Sequence, residues 1–413
     1  MAIIRNYLKC SSCNSKTVVR VAPSPISATQ THKFPCPGCS VEISFSLVQT
    51  RKGNLPKASF KKPTNAKWTR TEDGAIKTLT FDPDRVAPSD LTTAFSPWMA
   101  EFHKIPLRAH QAFAREEGLR LSWRDREWPW IQKAIIHFNN RNKALFDKET
   151  NIEKTSDNAA TWATRLRLLY KAIENAFDNF TLNLKAPVAR IHQRLSLAQA
   201  ISPELFDQLA GDYVATSRMK KVSDELTKVR TLFLAHYPSL APLLRMQIYW
   251  ASNEKTALSK FSLPEKNFDG LKQVYVDCYE TLCRLTVIAV GVEAIIHNKT
   301  LEIPTKGGAS AMSLWAYEAV PNGNKHTILK RYPIQDLFVS FMDSELRNGI
   351  GHHSAIYESK ADEVVYYSHG GPALNERRIP YTEFAHKVLS IYSALELAAL
   401  YFHSLHTRAI EKE

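Results

Sequence analysis

Four cysteines constrain the start of this chain more than any other feature. Cys10, Cys13, Cys36 and Cys39 form two C-x2-C pairs separated by 22 residues. Each pair sets two thiolates on one tight turn, and two such turns close a tetrahedron around Zn²⁺. Cys36-Pro37-Gly38-Cys39 has the Pro and Gly that a turn around a metal needs, while Cys10-Ser11-Ser12-Cys13 is small and polar. Runs with strand character flank both turns, at residues 17–21 and 41–48, so a small β zinc ribbon is expected over residues 1–55. With all four ligands supplied by protein, no position is left for water, and the expected Zn²⁺ is structural. Disulfides are disfavoured in a cytoplasmic protein. Paired redox motifs usually lie beside a βαβ pattern, which this sequence lacks.

Charge is concentrated in the same stretch. The 413-residue chain has a formal net charge of +13. Residues 1–70 hold twelve Lys or Arg against one acid, Glu42, an excess of eleven; the other 343 residues carry an excess of only two. Four thiolates on Zn²⁺ would lower the module's excess to about nine. A basic module of this kind is an electrostatic footprint for a polyanion, most often nucleic acid; a merely solvated face is the alternative.

The apolar content, 44%, is that of an ordinary globular protein. No run reaches eighteen uninterrupted apolar residues, so no membrane partner is expected. The opening MAIIRNYLKCSSC lacks the apolar core and cleavage site of a signal peptide. A cytoplasmic protein is expected.

Beyond the ribbon the expected fold is mainly α. Residues 56–105 are rich in Pro, Lys and Thr and read as an irregular connector, although the alternation at 76–81 suits a strand. Residues 106–262 read as a helical middle region, with helices over 128–140, 159–182, 188–200 and 223–236 separated by Pro187, Pro203, Pro238 and Pro242. Residues 263–413 read as a helical bundle, with helices over 271–298, 334–351 and 381–410 and a short hairpin at 355–358 and 364–368. Cys278 and Cys283, five apart in an apolar helix, suit neither a metal nor a local disulfide and are expected in the core. Trp123, Trp128 and Trp130 alternate with Arg120, Arg124 and Arg126, a pattern that either stacks bases or caps a core.

The chemistry concentrates in Arg347-Asn348-Gly349-Ile350-Gly351-His352. Arg347 is a permanent cation able to grip phosphate oxygens through two parallel hydrogen bonds. His352 exchanges a proton near neutrality. Together they suffice for cleaving RNA without a metal, because the substrate's own 2′-hydroxyl is the nucleophile and the protein supplies proton transfer and charge stabilisation. In a straight helix the two residues stand about 140° and about 7.5 Å apart. Either the helix opens at Gly349 or Gly351, or a second copy completes the site.

This hexad resembles the signature of the HEPN superfamily, an Arg followed by a small polar residue, variable positions and a His, and the resemblance covers about the last third of the chain. It implies a HEPN-like helical domain acting as a metal-independent endoribonuclease. It implies a homodimer whose two motifs line one cleft. His352 would then transfer the proton, Arg347 would bind the scissile phosphate, and Asn348 would orient one of them or bond to the phosphate. His353 is the other choice for the proton carrier, and Asp343, Glu345 and Glu293 are weaker choices for an orienting carboxylate. The resemblance further implies an effector of antiviral abortive infection or a toxin. Its partners would be RNA and either a cognate antitoxin or an activating phage component. Two alternatives stay open. Arg347 and Asn348 can simply cap a helix C-terminus, in a non-catalytic nucleic-acid-binding or regulatory protein. A metal site of His352, His353 and His369 lacks the i, i+4 partner such a site needs.

Overall fold

Alternating apolar and polar residues write seven strands into the first 81 residues of the computed structural model. They are β1 (Ile4–Cys10), β2 (Lys16–Val21), β3 (Thr29–Pro35), β4 (Glu42–Lys52), β5 (Leu55–Phe60), β6 (Ala66–Thr69) and β7 (Ala75–Phe81). The structure describes residues 4–24, 28–52, 55–70, 73–81, 87–88, 107–150, 161–182, 184–215, 218–252, 261–263, 266–304, 311–367 and 375–413. One sheet has the order β6-β1-β2-β7 and a second the order β3-β4-β5. Pairing is antiparallel except between β2 and β7. The inward faces share a core of Leu8, Val19, Val21, Phe34, Phe45 and Phe81. Phe45 meets Phe34, Phe60, Trp68 and Phe81 at ring distances of 5.6–6.3 Å.

The module is therefore larger than the expected 1–55 ribbon, and three of its strands come from the stretch read as a connector. All three are edge strands. Edge strands carry Pro and Lys, which blunt pairing with other chains. β5 contains Pro56 and Lys57, β6 contains Lys67 and β7 contains Lys77. The composition of β5 and β6 imitates a loop for that reason, while β7 matches the alternation read at 76–81. Residues 71–72, 82–86 and 89–105 of the expected connector lie outside the described residues.

The helical remainder agrees with a mainly α fold. Chain contacts define two compact units. The first comprises Met1–Arg115, Leu234–Gln273 and Glu345–Val388; the second comprises Glu116–Phe233, Val274–Ser344 and Leu389–Glu413. Neither unit follows the expected division at residue 262. The helix Trp162–Phe177 shows how local sequence makes these elements. Its buried residues, among them Ala163, Leu166, Leu169, Tyr170, Ile173 and Phe177, form a stripe at spacings of one to four. Thr161 caps it by accepting the Thr164 N–H at 3.2 Å.

Two expected boundaries shift. Pro238 and Pro242 do not separate helices but lie inside one, Arg218–Ser252. Each removes a backbone donor, yet Leu240, Ala241, Leu243 and Leu244 around them are all but fully buried. The packing gained there outweighs the lost bonds. Conversely, the single helix expected over 334–351 is broken into Gln335–Phe338, a 3₁₀ turn at Val339–Phe341 and Ser344–Gly351. β-branched, aromatic and Ser residues at the break favour helix weakly.

The helices Phe268–Asn298 and Tyr381–Lys412 are buried on nearly all sides, as expected where the sequence is apolar all round. The second is the one described helix long and apolar enough to cross a membrane, and 94% of its apolar window is buried inside the protein, as in a core helix. Cys278 and Cys283 are fully buried. A three-stranded antiparallel sheet, Ile356–Glu358, Glu363–Tyr367 and Glu376–Pro380, follows the hexad and adds one strand to the expected hairpin.

Candidate functional site

The two C-x2-C turns are built alike. In the first, the Cys10 N–H donates to the Ser15 carbonyl at 2.9 Å and the Asn14 N–H to the Cys10 carbonyl at 3.1 Å. In the second, the Cys36 N–H donates to the Val41 carbonyl and the Ser40 N–H to the Cys36 carbonyl, both at 2.8 Å. Asn14 and Ser40, each just after the second cysteine of a pair, have φ of +62° and +61°. This left-handed conformation turns the chain back toward its own sulfurs. A Cβ on Gly38 would stand 2.1 Å from Ser15 Oγ and 3.1 Å from Cys13 Sγ, so the second turn approaches the first only as glycine.

The four sulfurs lie within 4.8 Å of one another. Cys10 and Cys39 are 3.8 Å apart, and Cys13 and Cys36 are 3.6 Å apart. Zinc–sulfur bonds of about 2.3 Å give a tetrahedron with edges of about 3.8 Å, so this set fits such an ion. The thiols differ in acidity. The Ser15 hydroxyl, 3.0 Å from Cys13 Sγ, brings Cys13 down to about 6. Burial pushes Cys36 up to about 12. A cation at the centre overrides this opposition by deprotonating all four.

The hexad occupies the end of the helix Ser344–Gly351. The helix does not open at either glycine. It closes with a Schellman motif, in which the Ser354 N–H bonds to the Gly349 carbonyl at 2.9 Å and the His353 N–H to the Ile350 carbonyl at 3.0 Å. His353 takes the left-handed position, at φ +56°, and His352 becomes the C-cap. Both imidazoles are exposed. The Ser354 hydroxyl lies 2.9 Å from the Gly349 carbonyl and 3.2 Å from that of Tyr367, tying the helix end to the following sheet. A Cβ on Gly349 would meet Tyr366 Cβ at 2.9 Å, so Gly349 marks a close approach of helix and sheet.

Arg347 NH1 donates to Asn348 Oδ1 at 3.1 Å. The guanidinium reaches one turn toward the C-terminus, where NH1 lies 3.7 Å from the place of a Cβ on Gly351. Side-chain reach, not helix opening, therefore carries the Arg347 charge toward the end occupied by His352. Of the expected carboxylates, Glu345 pairs with Arg377 at 3.2 Å. Asp343 and Glu293 belong to the second unit. There Glu293 is fully buried in a salt bridge to Arg194, with His297 Nε2 at 3.4 Å. His369 lies outside the described residues.

Within the first unit, one short segment joins the cysteine module to the sheet behind the hexad. The Lys266 N–H bonds to the Thr31 carbonyl of β3 at 3.4 Å. Its buried Nζ lies 2.5 Å from Asp362 Oδ1 and 3.0 Å from Ser262 Oγ. Ser262 Oγ donates to Asp362 Oδ2 at 2.6 Å, and Tyr357 OH donates to Oδ1 at 2.9 Å. Burial draws the Lys266 amine below its usual value, and the Asp362 carboxylate opposes that shift. No pattern in the sequence pairs Lys266 with Asp362, which are 96 positions apart.

The tryptophan cluster belongs to the second unit, with Trp128 in the core and Trp123 and Trp130 half-buried. Trp128 is buried against Phe177 and Trp123, at ring distances of 5.5 and 5.7 Å. Arg120 is buried and donates to the Asn179 carbonyl at 2.5 Å. The same unit holds a cavity of about 470 Å³ lined by Glu174, Phe177, Lys185, His192, Glu396 and Leu400. These residues come from distant stretches, so no local pattern announced it.

No family model matches this chain, and no curated protein or solved structure matches it either.

Proposed function

We propose that this chain is a metal-independent endoribonuclease of the HEPN type, with an N-terminal module that holds a structural Zn²⁺ and binds RNA. The observation that supports the reading is the exposed end of the Ser344–Gly351 helix, where Arg347 donates to Asn348 and its guanidinium lies beside Gly351, the residue before His352. His352 takes the proton from the ribose 2′-hydroxyl, and the freed oxygen attacks the adjacent phosphorus. Arg347 offsets charge on the pentacoordinate intermediate. The bond to the 5′-oxygen breaks, that oxygen leaves with a proton, and a 2′,3′-cyclic phosphate remains. In a homodimer a second motif would face the first, allowing one His352 to act as base and the other as acid. Zn²⁺ held by four thiolates has no open position for this chemistry. The protein would act in the cytoplasm as an antiviral effector or a toxin, restrained or triggered by a partner.

One observation favours a second reading, a non-catalytic nucleic-acid-binding protein: the Schellman closure gives the hexad a purely structural task. Incubating the purified protein with total RNA, with and without EDTA, separates the two. The nuclease yields EDTA-resistant cleavage to 2′,3′-cyclic phosphate ends. Arg347→Ala and His352→Ala each lower the rate by about 10²–10⁴-fold with unchanged circular dichroism. If both variants cleave like the parent protein, the helix-ending role replaces the catalytic one.

A further inference from the structure

We infer that the outer face of β6-β1-β2 is a platform for single-stranded RNA, on which Tyr7 stacks a base between two rows of cations that hold phosphates. The inference rests on the RNA-binding role given to the module above and says which surface performs it.

Strand register defines the face. Arg5 stands opposite Arg20, Tyr7 opposite Val18, and Lys9 opposite Lys16. On the other side of β1, Tyr7 stands opposite Thr69 and Lys9 opposite Lys67. Side chains alternate between the faces of a sheet. Leu8, Cys10, Val19, Val21 and Ala66, the intervening residues, are in the core. The outer face therefore reads in three rows: Lys67-Lys9-Lys16, then Thr69-Tyr7-Val18, then Arg5-Arg20. Along β1 the two cationic rows stand about 13 Å apart, with Tyr7 midway.

Three pairs of like charges stand directly opposite one another in β1, β2 and β6, strands that contain no acid. Glu42, the one acid of the first 70 residues, lies in β4 of the other sheet, 3.7 Å from Lys33. Cations concentrated in this way on one face attract an anion. Arg5, Lys9 and Lys67 are exposed and Tyr7 is half-exposed. The Arg5 guanidinium stands over the Tyr7 ring, 5.6 Å from its centre. Toward β2 the face closes: Val18 is buried, Lys16 and Arg20 are half-buried, and Lys16 Nζ donates to the Asp73 carbonyl at 2.7 Å. The open strip therefore follows β6 and β1.

The ring selects the partner. An acidic protein surface would engage the cations and leave Tyr7 without a task. A duplex keeps its bases stacked on one another. Unpaired bases offer a π-face, and an aromatic flanked by cations is the arrangement that binds single strands with little regard to sequence.

The test uses the full-length protein and a fluorescent 2′-O-methyl oligouridylate twelve nucleotides long, which lacks the attacking hydroxyl and measures binding alone. Tyr7→Ala is expected to weaken binding about 5- to 150-fold with little change in salt dependence, the effect of one lost stack, and Tyr7→Phe to bind like the parent. Lys9→Ala with Lys67→Ala is expected to weaken binding and lower the log–log salt slope by about 0.7 per lost phosphate contact. Unchanged metal content shows that the variants keep their module. The platform is overturned if both variants bind like the parent, if the parent prefers a duplex, or if only the lysines matter, which points to an acidic protein instead. Cleavage of unmodified RNA is scored separately. Binding that follows the expected pattern without any cleavage removes the nuclease and leaves the platform standing.

Discussion

Arginine and histidine occur in both units of this protein, and their settings differ. In the second unit one set of them is locked away. Arg165 is bidentate to Asp147 at 2.6 and 2.7 Å, and Arg230 is bidentate to Glu396 at 3.0 and 2.7 Å, all four side chains being buried. His403 Nδ1 meets Glu174 at 2.8 Å, and its ring stacks on Tyr170 at 3.9 Å. His406 Nδ1 lies 2.5 Å from the Tyr170 hydroxyl. Breaking such pairs leaves buried charges without partners, which is costly. In the first unit, His352 stands exposed at a helix end and Arg347 is only part-buried. The residue types are the same, and the surroundings decide which stand open to solvent. Counting histidines in the sequence would have found His403 and His406 as readily as His352; the exposed helix end separates them.

The largest expected effect tests whether the cysteine module stands independently of the helices. Structural Zn²⁺ contributes on the order of 10 kcal/mol of binding free energy, comparable to the whole stability of a typical domain. Cys36→Ser, or prolonged chelation, is expected to abolish metal content and open residues 4–81 to proteolysis while far-ultraviolet dichroism keeps its helical bands. Helical signal lost in step with the metal would mean that the module and the helices unfold as one. A preparation made without chelator that holds no zinc by elemental analysis would remove the zinc assignment itself.

Parts of this comparison were legible in the sequence, for physical reasons that differ from part to part. The cysteine spacing encodes a local geometry, two turns, and the structure brings all four sulfurs together. β5 and β6 were hidden because the Pro and Lys that blunt an edge strand read as a connector, whereas the alternation at 76–81 had pointed to β7. Pro238 and Pro242 misled because burial of their neighbours, a tertiary effect, overrides local propensity. The shape of the hexad was not legible. Its glycines suggested an opened helix, whereas Gly349 serves a close approach to Tyr366, and the turn away from the helix falls on His353. Lys266 with Asp362, and the cavity beside Glu174, depend on residues far apart in the chain, which a single sequence does not pair.

A smaller effect sharpens the contrast between buried and exposed histidines. Burial pushes His406 down to about 3, with His403 and Arg141 adding to the shift. An unfolded His titrates near about 6.5. Because the folded value is the lower one, acid favours the unfolded chain. The full stability is present above about pH 6.5 and is lost as pH falls toward the folded value, by about 2 kcal/mol between pH 7 and pH 5. His403 is lowered by burial as well, against the opposing effect of Glu174, and steepens the same slope. Urea midpoints across that range should fall with pH in the parent protein. His406→Gln, which keeps an acceptor for Tyr170 but cannot titrate, should show a flatter slope. An equal slope in both would mean that His406 is charged, and hence solvated, in the folded protein.

The smallest expected effect separates the two histidines at the exposed helix end from each other. His353 holds the left-handed position of the Schellman motif at φ +56°, a conformation that costs a side-chain-bearing residue about 1–2 kcal/mol. Glycine adopts it freely but gives the unfolded chain more entropy, which takes back about 0.5–1 kcal/mol. His353→Gly should therefore leave stability unchanged or raise it by about 1 kcal/mol in a urea titration. Its backbone bond to Ile350 persists, so the hexad keeps its shape. If His352 is the proton carrier, cleavage by His353→Gly stays near that of the parent, because the lost imidazole only ended a helix. Cleavage abolished in His353→Gly and retained in His352→Ala would exchange their roles, making the left-handed residue the catalytic one and its conformational strain part of the site.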